Sequence, residues 1–111
     1  MAESEECDRW GGGITADLNN QIHSITTRNA SWTATEDCIM IGAMRMTNNT
    51  AAQVSLNGEI AVSMETTQAL THSYARVGYG NIGFAIPKGT VVTTRNANGG
   101  EYKLYFYKVA Q

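Results

Sequence analysis

Charge is scarce in this chain. Asp, Glu, Lys and Arg make up 16% of its 111 residues, against about a quarter in an average soluble domain. Threonine, asparagine, serine and glycine take their place, which suits an extracellular or particle-associated surface, or one occupied by subunit contacts. The formal net charge is −2. The basic residues Arg9, Arg28, Arg45, Arg76, Lys88, Arg95, Lys103 and Lys108 are scattered, so no sequence-local patch marks a nucleic-acid footprint. No apolar run is long enough to span a membrane. The opening MAESEECD has neither the positive nor the apolar part of a secretory signal.

Cysteine and catalytic motifs are equally sparse. Cys7 and Cys38 are the two cysteines, and their spacing fits no zinc or redox motif. Cys7 falls in an acidic leader and Cys38 opens an apolar strand, so two separate thiols are expected; a disulfide would need the leader to pack back on the body. There is no Gly-x-Ser-x-Gly elbow and no His-Glu-x-x-His motif. Gly78, Gly80 and Gly83 read as tight turns or close packing, because the strand and lysine of a phosphate loop are missing. A non-enzymatic chain without cofactor or metal is the resulting expectation.

What is present is the grammar of short strands. The stretch 53–64, QVSLNGEIAVSM, places alternating apolar residues on both sides of Asn57-Gly58, a pair suited to a type I′ hairpin turn. Val54 and Leu56 form one face, and Ile60, Val62 and Met64 resume the alternation. Residues 37–46, DCIMIGAMRM, give the strongest apolar strand, with Cys38, Met40, Gly42, Met44 and Met46 on one face and Ile39, Ile41, Ala43 and Arg45 on the other. Apolar residues on both faces suggest a central strand or one between sheets, and the methionines suit ordinary packing better than a metal site. Residues 74–79 form a further strand, with Tyr74, Arg76 and Gly78 opposite Ala75, Val77 and Tyr79. Phe84 and Ile86 share a face before Pro87-Lys88-Gly89 turns the chain, and 91–94 extends again. Residues 102–109, YKLYFYKV, close the chain with Tyr102, Leu104, Phe106 and Lys108 on one face and Lys103, Tyr105, Tyr107 and Val109 on the other. Their aromatics favour strand packing or a subunit boundary.

The beginning is less regular. Residues 1–13 read as a flexible leader, in which Trp10 either anchors it to the body or a neighbouring subunit or packs locally. Residues 14–27 are ambiguous: Leu18, Ile22 and Ile25 have near-helical spacing behind Asp17, so a loop or short helix followed by a weak strand is expected, then a turn at 29–31 and a return to the core at Trp32. The whole predicts an all-β chain, a small antiparallel jelly-roll-like β-sandwich over residues 14–111.

Four segments in order carry a family resemblance. Asp37-Cys38-Ile39-Met40-Ile41-Gly42 resembles the opening strand of the small head domains at the ends of bacteriophage tail fibres. Gln53-Val54-Ser55-Leu56-Asn57-Gly58 resembles their central strand and Asn-Gly turn. Phe84-Ala85-Ile86-Pro87-Lys88-Gly89-Thr90-Val91-Val92 is similar to their proline–lysine–glycine connection, and Tyr102-Lys103-Leu104-Tyr105-Phe106-Tyr107 to their aromatic closing strand. The resemblance covers roughly residues 32–109. It implies a receptor-binding module at the distal tail fibre of a virion, assembled in the host cytoplasm as a homotrimer. Its partners would be other tail components and a bacterial surface polysaccharide or outer-surface protein, with no nucleic acid and no membrane insertion. The short leader departs from a long fibre shaft.

Binding residues are expected on loops held by rigid strands. The candidates are Asn48 and Thr50, then Thr67, His72 and Tyr74, with Tyr79, and Asn96 and Asn98. Amide and hydroxyl groups can bond sugar hydroxyls, and a tyrosine ring can cover a sugar's apolar face. Plain solvent-facing turns are the simpler reading of each loop. Two competing functions remain: a structural or assembly protein of a phage particle without a receptor, and a carbohydrate-active enzyme. For the enzyme, His72 would need Asp37 or Glu65 beside it, or Asp17 and Glu36 would need to pair as carboxylates; an ordinary polar histidine is the simpler reading of His72. The sequons at Asn29-Ala30-Ser31 and Asn48-Asn49-Thr50 are short matches in an Asn/Thr-rich chain and carry little weight.

Overall fold

The alternation read from the sequence becomes a two-layer sandwich. A computed structural model describes residues 14–46, 51–65, 73–96 and 100–110, with backbone alone at the strand-end positions 46, 51, 64, 65, 73, 74, 96 and 100. The leader at 1–13, with Cys7 and Trp10, lies outside the described residues. The strands are β1 (Ala16–Ile25), β2 (Ser31–Thr33), β3 (Cys38–Met46), β4 (Ala51–Leu56), β5 (Glu59–Glu65), β6 (Ser73–Val77), β7 (Phe84–Ile86), β8 (Val91–Asn96) and β9 (Gly100–Val109). One sheet has the order β1-β9-β3-β6, with β7 also pairing β3; the other has the order β2-β8-β4-β5. Every pairing between these strands is antiparallel.

The core lies between the sheets. Met40 and Met44 of β3, Tyr102, Leu104 and Phe106 of β9, and Val77 and Ile86 meet Ala52, Val54 and Val92 from the second sheet. β3 is apolar on both faces because it is the central strand of its sheet. Its odd-numbered side carries Ile39, which is also buried, beside half-buried Ile41 and Ala43.

Two polar groups tie the layers together. Tyr102 of β9 reaches across the core to the paired backbone of Gln53 and Arg95 in β4 and β8. Its hydroxyl accepts from the Gln53 N–H at 3.0 Å and shares its proton between the carbonyls of Gln53, at 3.2 Å, and Arg95. Burial raises the phenol pKa, and the two backbone hydrogen bonds oppose this only in part. The buried Thr94 hydroxyl donates to the Thr27 carbonyl at 2.9 Å and accepts from the Ala30 N–H at 3.0 Å. It thereby pins the crossover from β1 to β2 onto β8.

The Asn-Gly hairpin forms as expected. Asn57 and Gly58 have φ of 53° and 85°, the left-handed pair that a type I′ turn needs. The Asn57 side chain also accepts from the Val91 N–H at 2.9 Å, which fastens the turn to β8. The β5 face differs from the expected alternation. Val62 pairs with Val54 but Ile60 pairs with Ser55, so Ala61 is an extra residue. That bulge turns Ile60 to solvent, where it is 57% exposed.

Two other expectations are corrected. Residues 16–25 are strand, with no helix. The Asp17 carboxylate accepts from the Asn19 N–H at 3.1 Å and from the Asn20 amide. It therefore closes a local loop instead of capping a helix. The register steps from Ala16↔Val109 to Gln21↔Tyr107, so residues 17–20 bulge outward and the near-helical spacing of Leu18 and Ile22 is a by-product. The strand expected over 74–79 stops at Val77, because Gly78 has φ of 90°.

Tyr102→Phe tests the inter-sheet bond. It keeps the ring but removes the partner of the half-buried Gln53 N–H, and it is expected to lower unfolding free energy by about 1–3 kcal/mol. A urea titration reads this as a lower midpoint at unchanged slope; an unchanged midpoint would contradict the assignment.

Candidate binding surface

The connection after β6 is a tight, rigid hairpin. Tyr79 and Ile82 exchange backbone hydrogen bonds, at 2.7 Å from the Tyr79 N–H and 2.9 Å from the Ile82 N–H. The Ala16 N–H donates to the Asn81 carbonyl at 2.8 Å and ties β1 to the hairpin tip. Gly83 seats the hairpin against β3: a Cβ there would lie 2.2 Å from the Met40 carbonyl oxygen. Only glycine allows so close an approach.

This hairpin presents Tyr79 to solvent, 75% exposed, beside Ile82 at 57%. The Arg76 guanidinium lies over the Tyr79 ring, 5.1 Å from its centroid, a cation–π geometry. Tyr79 was expected on the face of Val77; the break at Gly78 places it with Arg76 instead.

The outward face of the five-stranded sheet continues from Arg76. Register fixes its rows across three strands. Arg76, Ala43 and Lys103 form one row, with Arg45 and Glu101 in the row beyond. Arg45 and Glu101 are an exposed ion pair at 3.1 Å. Toward the other end come Ile41 with Tyr105, then Ala85, Ile39 and Tyr107. Tyr105 and Tyr107 are half-buried. Half of this face is therefore cationic and half apolar and aromatic.

A groove of about 610 Å³ lies at the Ile39 end of this face, where Ile14, Ala85, Pro87 and Val109 line it together with Glu36, Asp37 and Lys108, and Cys38 is among its lining residues. Cys38 is a free, buried thiol. Its pKa is pushed up to about 11, first by burial and then by the Glu36 and Asp37 carboxylates. It is thus a packed thiol and no nucleophile at neutral pH. Asp37 accepts from the Lys88 N–H at 2.8 Å, and Glu36 lies 4.0 Å from Lys108. With Asp17 engaged by Asn19 and Asn20, these carboxylates have structural partners. Among the described residues, no group of three or more His, Cys, Asp or Glu side chains could hold a metal.

Of the other sequence candidates, Tyr74 pairs by backbone with Arg45, and Asn96 pairs with Ala52 at the end of β8. Asn48, Thr50, Thr67, His72 and Asn98 lie outside the described residues. The sequence reading missed Arg76 and Lys103 as neighbours. Their shared row depends on the register of three strands, which no local motif encodes.

His23 plays a packing role that spacing did not reveal. Its ring stacks on Trp32 with centroids 4.2 Å apart and planes at 9°, and both rings lean on Phe106. The stack closes one edge between the sheets. Burial holds the imidazole below its ordinary pKa of 6.5.

Comparison with protein-family models, curated proteins and solved structures finds no match to this chain.

Two outcomes follow from these environments. Because the folded pKa of His23 is lowered, its contribution to stability is full above the unfolded value of 6.5 and is lost as pH falls from there through the lowered value. The thermal midpoint of the wild type should drop across that window relative to His23→Phe; parallel curves would contradict it. In a Cys7→Ser variant, Cys38 should resist a disulfide reagent at pH 8 until denaturant is added, and rapid native labelling would refute its burial.

Proposed function

We propose that this chain is a non-enzymatic attachment module of a bacteriophage tail fibre that adheres to a bacterial surface. The observation that carries the reading is the rigid hairpin displaying Tyr79 over Arg76 at the edge of a sandwich face. Aromatic and arginine side chains on stiff supports are the groups that binding surfaces use most. The ordered resemblance of four strand segments to fibre head domains supports the same reading and implies a homotrimer. The structural engagement of Asp17, Glu36 and Asp37 favours adhesion over hydrolysis.

A second reading is particle assembly without a receptor. The apolar half of the outward face, with the half-buried Tyr105, Tyr107 and Val109, favours it, because such a surface can be covered by a neighbouring subunit.

The test is adsorption of labelled, purified protein to a panel of intact bacteria and to the same cells stripped of surface glycan. Selective adsorption, with competition against phage particles for the same cells, is the expected result. Absence of adsorption across the panel, with incorporation into particles intact, would overturn attachment in favour of assembly.

A further inference from the structure

We propose that the cationic half of the outward sheet face, together with Tyr79, binds an acidic saccharide: a pyranose ring carrying a carboxylate. The inference rests on the attachment reading and names the ligand chemistry of that surface.

The floor of the site is Ala43, flanked on β6 by Arg76 and on β9 by Lys103 in one cross-strand row. Two strand spacings separate the flanking backbones by about 10 Å. Both side chains are exposed, and both are long enough to reach a group set over the small Ala43. Arg45 stands one row beyond, paired with Glu101. Among the described residues of these rows there are three cations, Arg45, Arg76 and Lys103, against the single carboxylate of Glu101. Residues 1–13 carry Glu3, Glu5, Glu6 and Asp8 against Arg9, so the formal −2 of the whole chain becomes +1 over residues 14–111. The positive excess of these rows complements an anion.

The aromatic side supplies the second half of recognition. Arg76 lies over the ring of Tyr79, and Tyr79 remains 75% exposed. Ring surface is therefore available for the apolar face of a sugar while the guanidinium stays beside it to meet a carboxylate. Arg is suited to this because its planar fork bonds a carboxylate through two parallel N–H donors. The hairpin bonds and the close approach at Gly83 hold Tyr79 before ligand arrives, which limits the ordering cost of binding. A charged ligand without a ring would use Arg76 and Lys103 alone, and a neutral sugar would use Tyr79 alone.

The experiment compares three probes by calorimetry with the full chain: trigalacturonate, a neutral galactose trisaccharide, and citrate. Trigalacturonate is expected to bind at least about tenfold more tightly than either of the others, since each lacks one half of the recognition. Arg76→Gln, Lys103→Gln and Tyr79→Ala, all exposed positions, should each weaken it by about tenfold at unchanged thermal midpoint. Equal affinity for trigalacturonate and the neutral sugar, or no binding of trigalacturonate, would overturn the proposal. So would full affinity in the Arg76→Gln/Lys103→Gln double variant. If that double variant still adsorbs to cells as the wild type does, the saccharide site fails while attachment stands. If trigalacturonate binds and no cell is bound, the site stands and attachment fails.

Discussion

β3 and β9 run antiparallel in one unbroken register, from Cys38↔Lys108 to Met46↔Gly100, and the other elements are placed by that ladder. Its inward side chains, Met40, Met44, Tyr102, Leu104 and Phe106, form the half of the core that the second sheet covers. The same alternation sends Ile41, Ala43, Lys103 and Tyr105 to the opposite face. A one-residue slip between these strands would bury Lys103 and expose Leu104. Core and candidate site are therefore two sides of one constraint, and the site inherits its stiffness from the packing behind it. The Tyr102 hydroxyl extends that constraint to the second sheet, because it bonds part-buried backbone groups of β4 and β8.

Elements governed by local rules were legible in the sequence. Asn57-Gly58 specifies its turn through the positive φ that both residues tolerate. The two faces of residues 37–46 and of 102–109 follow from strict alternation, and the structure keeps the assignments over 38–45 and 102–109. Pro87-Lys88-Gly89 turns the chain with Gly89 at φ of 90°.

The misreadings share a cause: backbone irregularity that alternation cannot register. The bulge at Ala61 moves Ile60 to the outside. The loop at 17–20, closed by the Asp17 carboxylate, mimics helical spacing without a helix. Gly78 ends β6 two residues before Tyr79 and swings that ring to the side of Arg76. The candidate site was legible only in part for a further reason. Tyr79 could be named as an exposed aromatic, and the face of Lys103 could be assigned. The row Arg76–Ala43–Lys103, however, joins segments far apart in the chain, and strand order is a tertiary property. The His23–Trp32–Phe106 cluster was hidden in the same way, since its members come from β1, β2 and β9.

A sandwich of this kind is a support, and chemistry is added to it by what its faces and connections display. Here the display is concentrated on one face: a held tyrosine, three cations and a strip of half-buried tyrosines. Under the proposed attachment, radical footprinting of the protein mixed with bacterial cells that adsorb it tests that claim most directly, because tyrosine oxidation reports which rings are covered. Tyr79 and Tyr105 should be protected on binding while exposed Ile60, on the opposite sheet, keeps its free-state reactivity. Unchanged oxidation of Tyr79 in the adsorbed protein, or protection centred on Ile60, would contradict the account.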